Sequence, residues 1–595
     1  MPASAREFAV STNGSDSQAG TAELPLRTIQ RAAELALPGD VILVHQGIYR
    51  ERINPPRGGL SDDQRIIYQA AAGEKVTIKG SEVISNWVEI QPGVWQVTLP
   101  NSFFAGFNPY TNLIRGDWFN PQKRPHHTGA VYLNGDWLGE AATLEEVLKP
   151  VPTNQLWFAT ADATNTVIRA RFGTANPHDA FVEINARQTV FYPAKTGVNF
   201  LTVRGFTLSR AATPWAPPTA EQIGLIGTHW SRGWIIESNV ISYSLCAGVT
   251  LGKYGDEWDN RAESAEGYVG TIRRALTNGW DKVTVGHHLV RANDISHCEQ
   301  GGIVGSLGGA FSRILENNIH DIYTRRRFSG AEMAGIKLHG AVDVEISRNH
   351  ICRCWRGIWL DWMAQGTRLS ANLLHDNSAD DLFFEVDHGP ILVDDNLLLS
   401  PTSLKSWSQG CAFAHNLFAG KIETKPKDDR QTPFLQPHAT ALVGLTNNPC
   451  GDSRFINNIF AGKADLSSYD QSVLPVQMAG NVFLNGARPA AVETNPEVQT
   501  NLVLRPKIFQ RGASWFFEAN LDFAAAGNTS RPLVTTALLG RTAISQMEFE
   551  NADGSGVTVA HDYFGNPWPE NKLPAGPFAN LNKTTAGWQV WPNFN

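Results

Sequence analysis

Three short segments repeat one order of apolar and polar positions: Gly335-Ile336-Lys337-Leu338-His339, Gly357-Ile358-Trp359-Leu360-Asp361 and Asp381-Leu382-Phe383-Phe384-Glu385. Period-two alternation predicts strands with Ile336, Leu338, Leu360 and Phe384 turned inward and Lys337, His339, Trp359, Asp361, Phe383 and Glu385 turned outward. Aligned at their ends, the segments set His339, Asp361 and Glu385 in equivalent places, at intervals of 22 and 24 residues. Self-similarity at that period predicts an all-β solenoid, a parallel β-helix with about one coil per repeat.

A second periodicity runs through the same region. Asn239, Asn293, Asn318, Asn349, Asn372, Asn396, Asn416, Asn458 and Asn481 each precede an apolar pair or near pair, which predicts an asparagine ladder at one turn of the helix. The interval of 54 from Asn239 to Asn293 exceeds one coil, and Tyr268, Ile272 and Leu276 within it predict a short helix projecting from the solenoid. Residues 1–80 read as a cap helix over Arg27–Leu37 followed by first-coil strands. From 81 to 195 longer β-runs with the hairpin turn Asn134-Gly135 predict an inserted β-sandwich, whose aromatic loop Arg115–Phe119 is able to reach over the helix face. Residues 196–500 form the main β-helix, and 501–595, where the ladder has stopped, a segment that caps it or packs along it.

Composition narrows the function. A net charge of −7 argues against a nucleic-acid partner, since the one basic cluster, Arg325-Arg326-Arg327, is short. No run approaches the roughly 20 apolar residues of a membrane span, and the first residues lack a basic stretch followed by an apolar core, so a cytoplasmic location is expected. The six cysteines lack zinc-type spacing and are expected as buried free thiols. Asp380-Asp381 and Asp394-Asp395 read as solvated turns rather than a cation site. Eighteen tryptophans fit sugar stacking as well as core packing.

The chemistry sits in the repeated segments. Strands in a sheet lie about 4.8 Å apart, so carboxylates one coil apart stand about 5 Å apart, the separation of a retaining glycosidase. Asp361 lies between Trp359 and Trp362, beside a His339 whose positive form would keep it ionised, while Glu385 follows two phenylalanines that favour its neutral form. Trp118, Glu332, Lys337, His339, Trp362 and His388 are candidate substrate-binding residues around this catalytic pair. No metal or organic cofactor is required for such chemistry.

Gly357-Ile358-Trp359-Leu360-Asp361-Trp362-Met363, with Asp381–Val386 and His388-Gly389-Pro390, resembles glycoside hydrolase family 120, a family of β-xylosidases. The similarity extends from the opening Gly-Ser-Asp to Asp562-Tyr563-Phe564-Gly565. The resemblance implies a right-handed helix, Asp361 as nucleophile, Glu385 as acid/base, a xylo-oligosaccharide substrate and a homo-oligomer, as in tetrameric members. Two other readings compete. A β-helix polysaccharide lyase or inverting uronic-acid hydrolase would want a basic proton abstractor, and only Lys337 stands near the acids. A non-enzymatic adhesin would want a secretion signal and a repetitive outer face.

Overall fold

Apolar side chains recur once per coil on three successive strands, and the chain winds into a right-handed parallel β-helix walled by parallel sheets of 14, 13 and 8 strands. The coordinates are a computed structural model and describe residues 5–150, 155–494, 496–520, 531–569, 573–579 and 587–592. Inward residues of the three walls, such as Ile358, Leu369 and Leu374, merge into one continuous core. The helix Ile29–Leu35, capped by Thr28 Oγ1 accepting from Arg31 N, buries Ile29, Ala32 and Ala33 against that core and shields its open end.

The asparagine ladder runs from Asn239 to Asn481 with one correction. Asn317, not Asn318, is the rung between Asn293 and Asn349; Asn318 turns its amide outward to Asp294. Asn-Asn adjacency hid which of the two faces inward. At each rung the backbone N–H and side-chain amide of one asparagine both donate to the Oδ1 of the next, as from Asn349 to Asn372 at 3.0 and 3.1 Å. The same side-chain amide also donates to a carbonyl of the preceding coil, as from Asn372 to Ile346 O at 2.9 Å. Glu493 ends the column by accepting from Asn481 at 2.8 Å.

Long segments leave the coils without breaking their register. Ile66–Ala70 pairs directly with Leu201–Arg204, so the solenoid closes as if the residues between them were absent. Between them two sheets of four and five strands pack face to face around Val97, Trp157, Ile168 and Ile184, a β-sandwich that contains the Asn134-Gly135 hairpin. The described residues of the C-terminal segment pack along the solenoid. Phe517, Tyr563 and Phe578 cover the outer face of the 13-stranded sheet, and Val534, Phe549 and Val559 that of the 14-stranded sheet.

Asn372→Ala orphans donors on Asn349 and the carbonyl of Ile346. At about 1–3 kcal/mol per buried unsatisfied group, the expected loss is about 3 kcal/mol or more, read as a lower urea midpoint with unchanged slope. A loss below about 0.5 kcal/mol, the scale of a neutral surface change, would mean that the column does not stabilise the coils.

Candidate active site

The strands Ile336–His339, Arg356–Asp361 and Asp380–Glu385 are neighbours in the eight-stranded sheet, and their register pairs His339 with Asp361 and Asp361 with Glu385. Two local features fix this alignment. At the strand starts, a Cβ on Gly357 would come within 2.4 Å of Asp381 O, so glycine is what lets the coils approach there. Just past the strand ends, Gly340, Trp362 and Val386 all have left-handed backbone, with φ of 66°, 51° and 55°. For bulky Trp362 and β-branched Val386 that conformation is strained, and strain of this kind gathers at functional sites.

The alternation predicted for these strands holds, but the outward face is not a solvated one. Lys337, His339, Asp361, Phe383 and Glu385 are all buried, because three segments roof the sheet. The first is the aromatic loop of the inserted sandwich. Asp117 anchors it by accepting from Thr219 Oγ1 and Ala262 N, and Phe119–Asn120 pairs with Ser329–Gly330. The second is the helix Ala265–Thr277, which does not project as its sequence suggested. It folds back and sets the Tyr268 ring 5.0 Å from His339 and 5.3 Å from Trp362. Its apolar stripe is buried by this docking. The third roof is the hairpin Asp428–Leu435 with Leu442–Asn448. It carries Arg430, whose Nη1 donates to Glu385 Oε1 at 2.8 Å while Nε donates to Asp428 at 2.9 Å.

Each carboxylate thus has its own cation. Lys337 Nζ donates to Asp361 Oδ2 at 2.5 Å, and this ammonium, not His339, is the charge beside Asp361. Burial, followed by the Lys337 charge, drives the His339 imidazole well below its usual range, so the ring is neutral. Its Nε2 lies 2.8 Å from Glu332 Oε1 and 3.5 Å from Asp361 Oδ2 without hydrogen-bond alignment to either. Burial lifts Asp361 to about 7, with Lys337 opposing the rise and the nearby Glu385 adding to it. Burial lifts Glu332 to about 8, so it is largely protonated at neutral pH. The expectation that Glu385 sits among phenylalanines also needs correction, because Phe384 faces the core and Arg430 is its partner.

Asp361, Glu385, His339, Trp362 and Trp118 line one cavity of about 470 Å³, together with Trp359, Tyr268 and Arg430. Of the other expected binders, Lys337 and Glu332 are fully buried and do not line it. His388 is not brought to the cavity. It bonds Thr432 O and Gln409 behind the hairpin, and burial lowers it to about 4. The acidic turns are not solvated either, since Asp380 pairs with Arg356 and Asp394 with Arg368. All six cysteines are buried and free. Among the described residues, Asp361 Oδ1, Trp359 Nε1 and His339 Nδ1 are buried polar atoms with no hydrogen-bond partner. Such atoms on a small cavity suit a ligand rich in hydroxyl groups. Arg430 and Tyr268 were missed by sequence reasoning; the 42 residues between Asn416 and Asn458 were a readable sign of the inserted hairpin.

A family model described as "Glycoside hydrolase 120, insertion domain" matches residues 84–184, most of the inserted sandwich. The solved structure described as "The complex structure of XylC with xylose" is 38% identical with a TM-score of 0.93, covering 98% of this chain and 100% of that one. A solved structure described as "Glycoside hydrolase" is 12% identical with a TM-score of 0.44, covering 82% of this chain and 97% of that one. The Bacillus subtilis (strain 168) "Uncharacterized protein YwoF" is 36% identical over 74 residues, a match to 12% of this chain and 16% of that protein.

Lys337→Met removes the cation that holds Asp361 down while preserving side-chain length. The Asp361 carboxyl then titrates higher, and its ionised form is lost at a higher pH as the pH falls. The acidic limb of kcat/KM is expected near pH 7 in the parent and about 1–3 pH units higher in the variant. An unmoved limb would mean that Asp361 is not the group it reports.

Proposed function

The chain belongs to glycoside hydrolase family 120, and on that footing we propose that it is an exo-acting β-xylosidase that releases xylose from the non-reducing end of xylo-oligosaccharides with retention of configuration. The observation that carries this reading is the strand register that puts Asp361 and Glu385 side by side on one small cavity. Adjacent parallel strands lie about 4.8 Å apart, and this spacing supports double displacement, which uses carboxyls about 5–5.5 Å apart, over inversion, which uses about 6.5–9.5 Å.

In this mechanism Asp361 attacks the anomeric carbon. Lys337 is completely buried and stays with Asp361, where its charge opposes the rise that burial imposes and lets the nucleophile ionise as the pH passes about 7. Glu385 gives its proton to the leaving oxygen from the carboxyl oxygen that Arg430 does not hold, then takes a proton from water as that water opens the glycosyl-enzyme ester. Arg430 shares itself with Asp428, so its hold on Glu385 is adjustable as the charge on Glu385 changes through the cycle. Trp118 and Trp362 wall the sugar, and the neutral His339 and the Trp359 indole address its hydroxyls. An adjoining cavity of about 880 Å³ shares Ala265 and Arg430 with the first and offers room to the leaving saccharide. The lyase reading is disfavoured by Lys337, whose ammonium is committed to Asp361 and does not line the cavity.

Glu385→Ala should slow xylosides with poor leaving groups by about 10²–10⁴-fold and activated aryl xylosides far less. Azide should restore turnover and give the β-xylosyl azide. An α-azide would exchange the two roles. Asp361→Ala should abolish the first step for every leaving group. In Trp118→Ala the stacking surface is lost, worth about 0.5–1.5 kcal/mol, so KM should rise about 2- to 12-fold; an unchanged KM would remove Trp118 from the site.

A further inference from the structure

A cluster on a different wall of the helix has no part in this chemistry. His350 and Cys352 belong to one strand of the 13-stranded sheet and His375 to the next, with Cys352 paired to His375 in register. Ile351 and Leu374 face the core, so the three side chains share the outer face. All three are buried, and their ligand atoms lie within 4.8 Å of one another.

The hydrogen bonds around the two rings decide their tautomers. Asn318 Nδ2 donates to Asp294 at 2.7 Å, which leaves Asn318 Oδ1 as the acceptor facing His350 Nδ1 at 2.7 Å. His375 Nδ1 faces the Asp376 carboxylate at 2.8 Å. Both rings therefore carry hydrogen on Nδ1, and their bare Nε2 atoms face each other at 2.8 Å. Two lone pairs so placed repel unless a positive centre joins them.

We propose that His350, His375 and Cys352 bind one borderline divalent transition-metal ion of the zinc type. Two imidazole nitrogens and a thiolate are the donor set such ions prefer. Ring N–H groups donated to amide and carboxylate oxygens are the supporting arrangement that orients metal-binding histidines. The indoles of Trp515 and Trp591 lie 4.7 and 5.4 Å from the His350 ring and cover the cluster from the C-terminal sheet. The ion would sit on the solenoid face that this sheet covers. Arg353 donates to Cys352 Sγ at 3.2 Å, with its charge met by Asp321 at 2.8 Å. A thiol binds such an ion as the thiolate and gives its proton to solvent, so binding strengthens as pH rises. The spacing hid this site because its ligands come from two coils, whereas recognised zinc patterns keep paired ligands close along the chain.

The test is a titration of the chelator-treated full-length protein with Co²⁺, followed by absorption. Expected are one Co²⁺ per chain, the visible bands of a tetrahedral site and a thiolate charge-transfer band. Addition of Zn²⁺ should displace the cobalt and raise Tm. Cys352→Ser should lose the charge-transfer band, and His375→Gln should weaken binding by at least about 10–100-fold. Aryl-xyloside hydrolysis should be unchanged in both variants. No stoichiometric Co²⁺ binding by the folded parent, or equal binding by His375→Gln, overturns the proposal and leaves the histidines bridged by a proton.

Discussion

Coil-to-coil register is the constraint on which the rest of the structure depends. A one-residue slip in a strand turns every side chain to the opposite face. In this chain a slip would carry Asp361 or Glu385 from the cavity into the core. The register is held at several points on each coil, by the backbone ladder, the asparagine column, the close approach at Gly335 and Gly357, and the left-handed residues after the functional side chains. The asparagines are what make long insertions tolerable. Each rung binds the coils on either side regardless of the interval along the chain, 54 from Asn239 to Asn293 and 42 from Asn416 to Asn458.

Those insertions convert a bare sheet face into a site. Without the Trp118 loop, the Ala265–Thr277 helix and the Arg430 hairpin, the outer face of the eight-stranded sheet would be a row of solvated side chains with ordinary titration behaviour. Roofed, it becomes a place where Glu332 is lifted to about 8, Asp361 to about 7, and His339 is neutral. Burial of charge is costly unless it is paired, and the site meets that cost with one cation for each acid. Lys337 comes from the same sheet as Asp361 and is enclosed, while Arg430 comes from an insertion and is divided between Glu385 and Asp428. In the mechanism proposed above, the fixed partner suits the nucleophile, whose carboxylate form must persist until it bonds to the sugar. In the same proposal a divided partner suits the acid/base, which gains and loses a proton in each turnover.

The outer faces of the other two walls are covered by the C-terminal segment, by Phe517 and Tyr563 on one and Phe549 and Val559 on the other. That coverage explains why apolar residues continue after Asn481, where Glu493 ends the ladder. The same docking encloses His350, Cys352 and His375, whose unmatched lone pairs have no counterpart in the purely structural rungs of the solenoid.

By itself, the sequence determined what depends on short-range periodicity. The alternation in Gly335–His339 and Gly357–Asp361, and their near-constant spacing, were enough to specify a β-helix, its inward residues and the alignment of His339, Asp361 and Glu385, because coil period and strand pleat are local quantities. Resemblance at Trp359–Met363 added the family. Tertiary structure alone decided what lies above that alignment. Nothing along the chain marks Arg430 as the partner of Glu385, 45 residues earlier, or tells that the helix of Tyr268 folds inward. Nor did it tell Asn317 from Asn318, since adjacent identical residues differ only in which face the backbone presents. His339 was misjudged as a cation and His388 as a binder for one reason: charge state and access follow from burial by segments distant in sequence, and burial is a property of the whole fold.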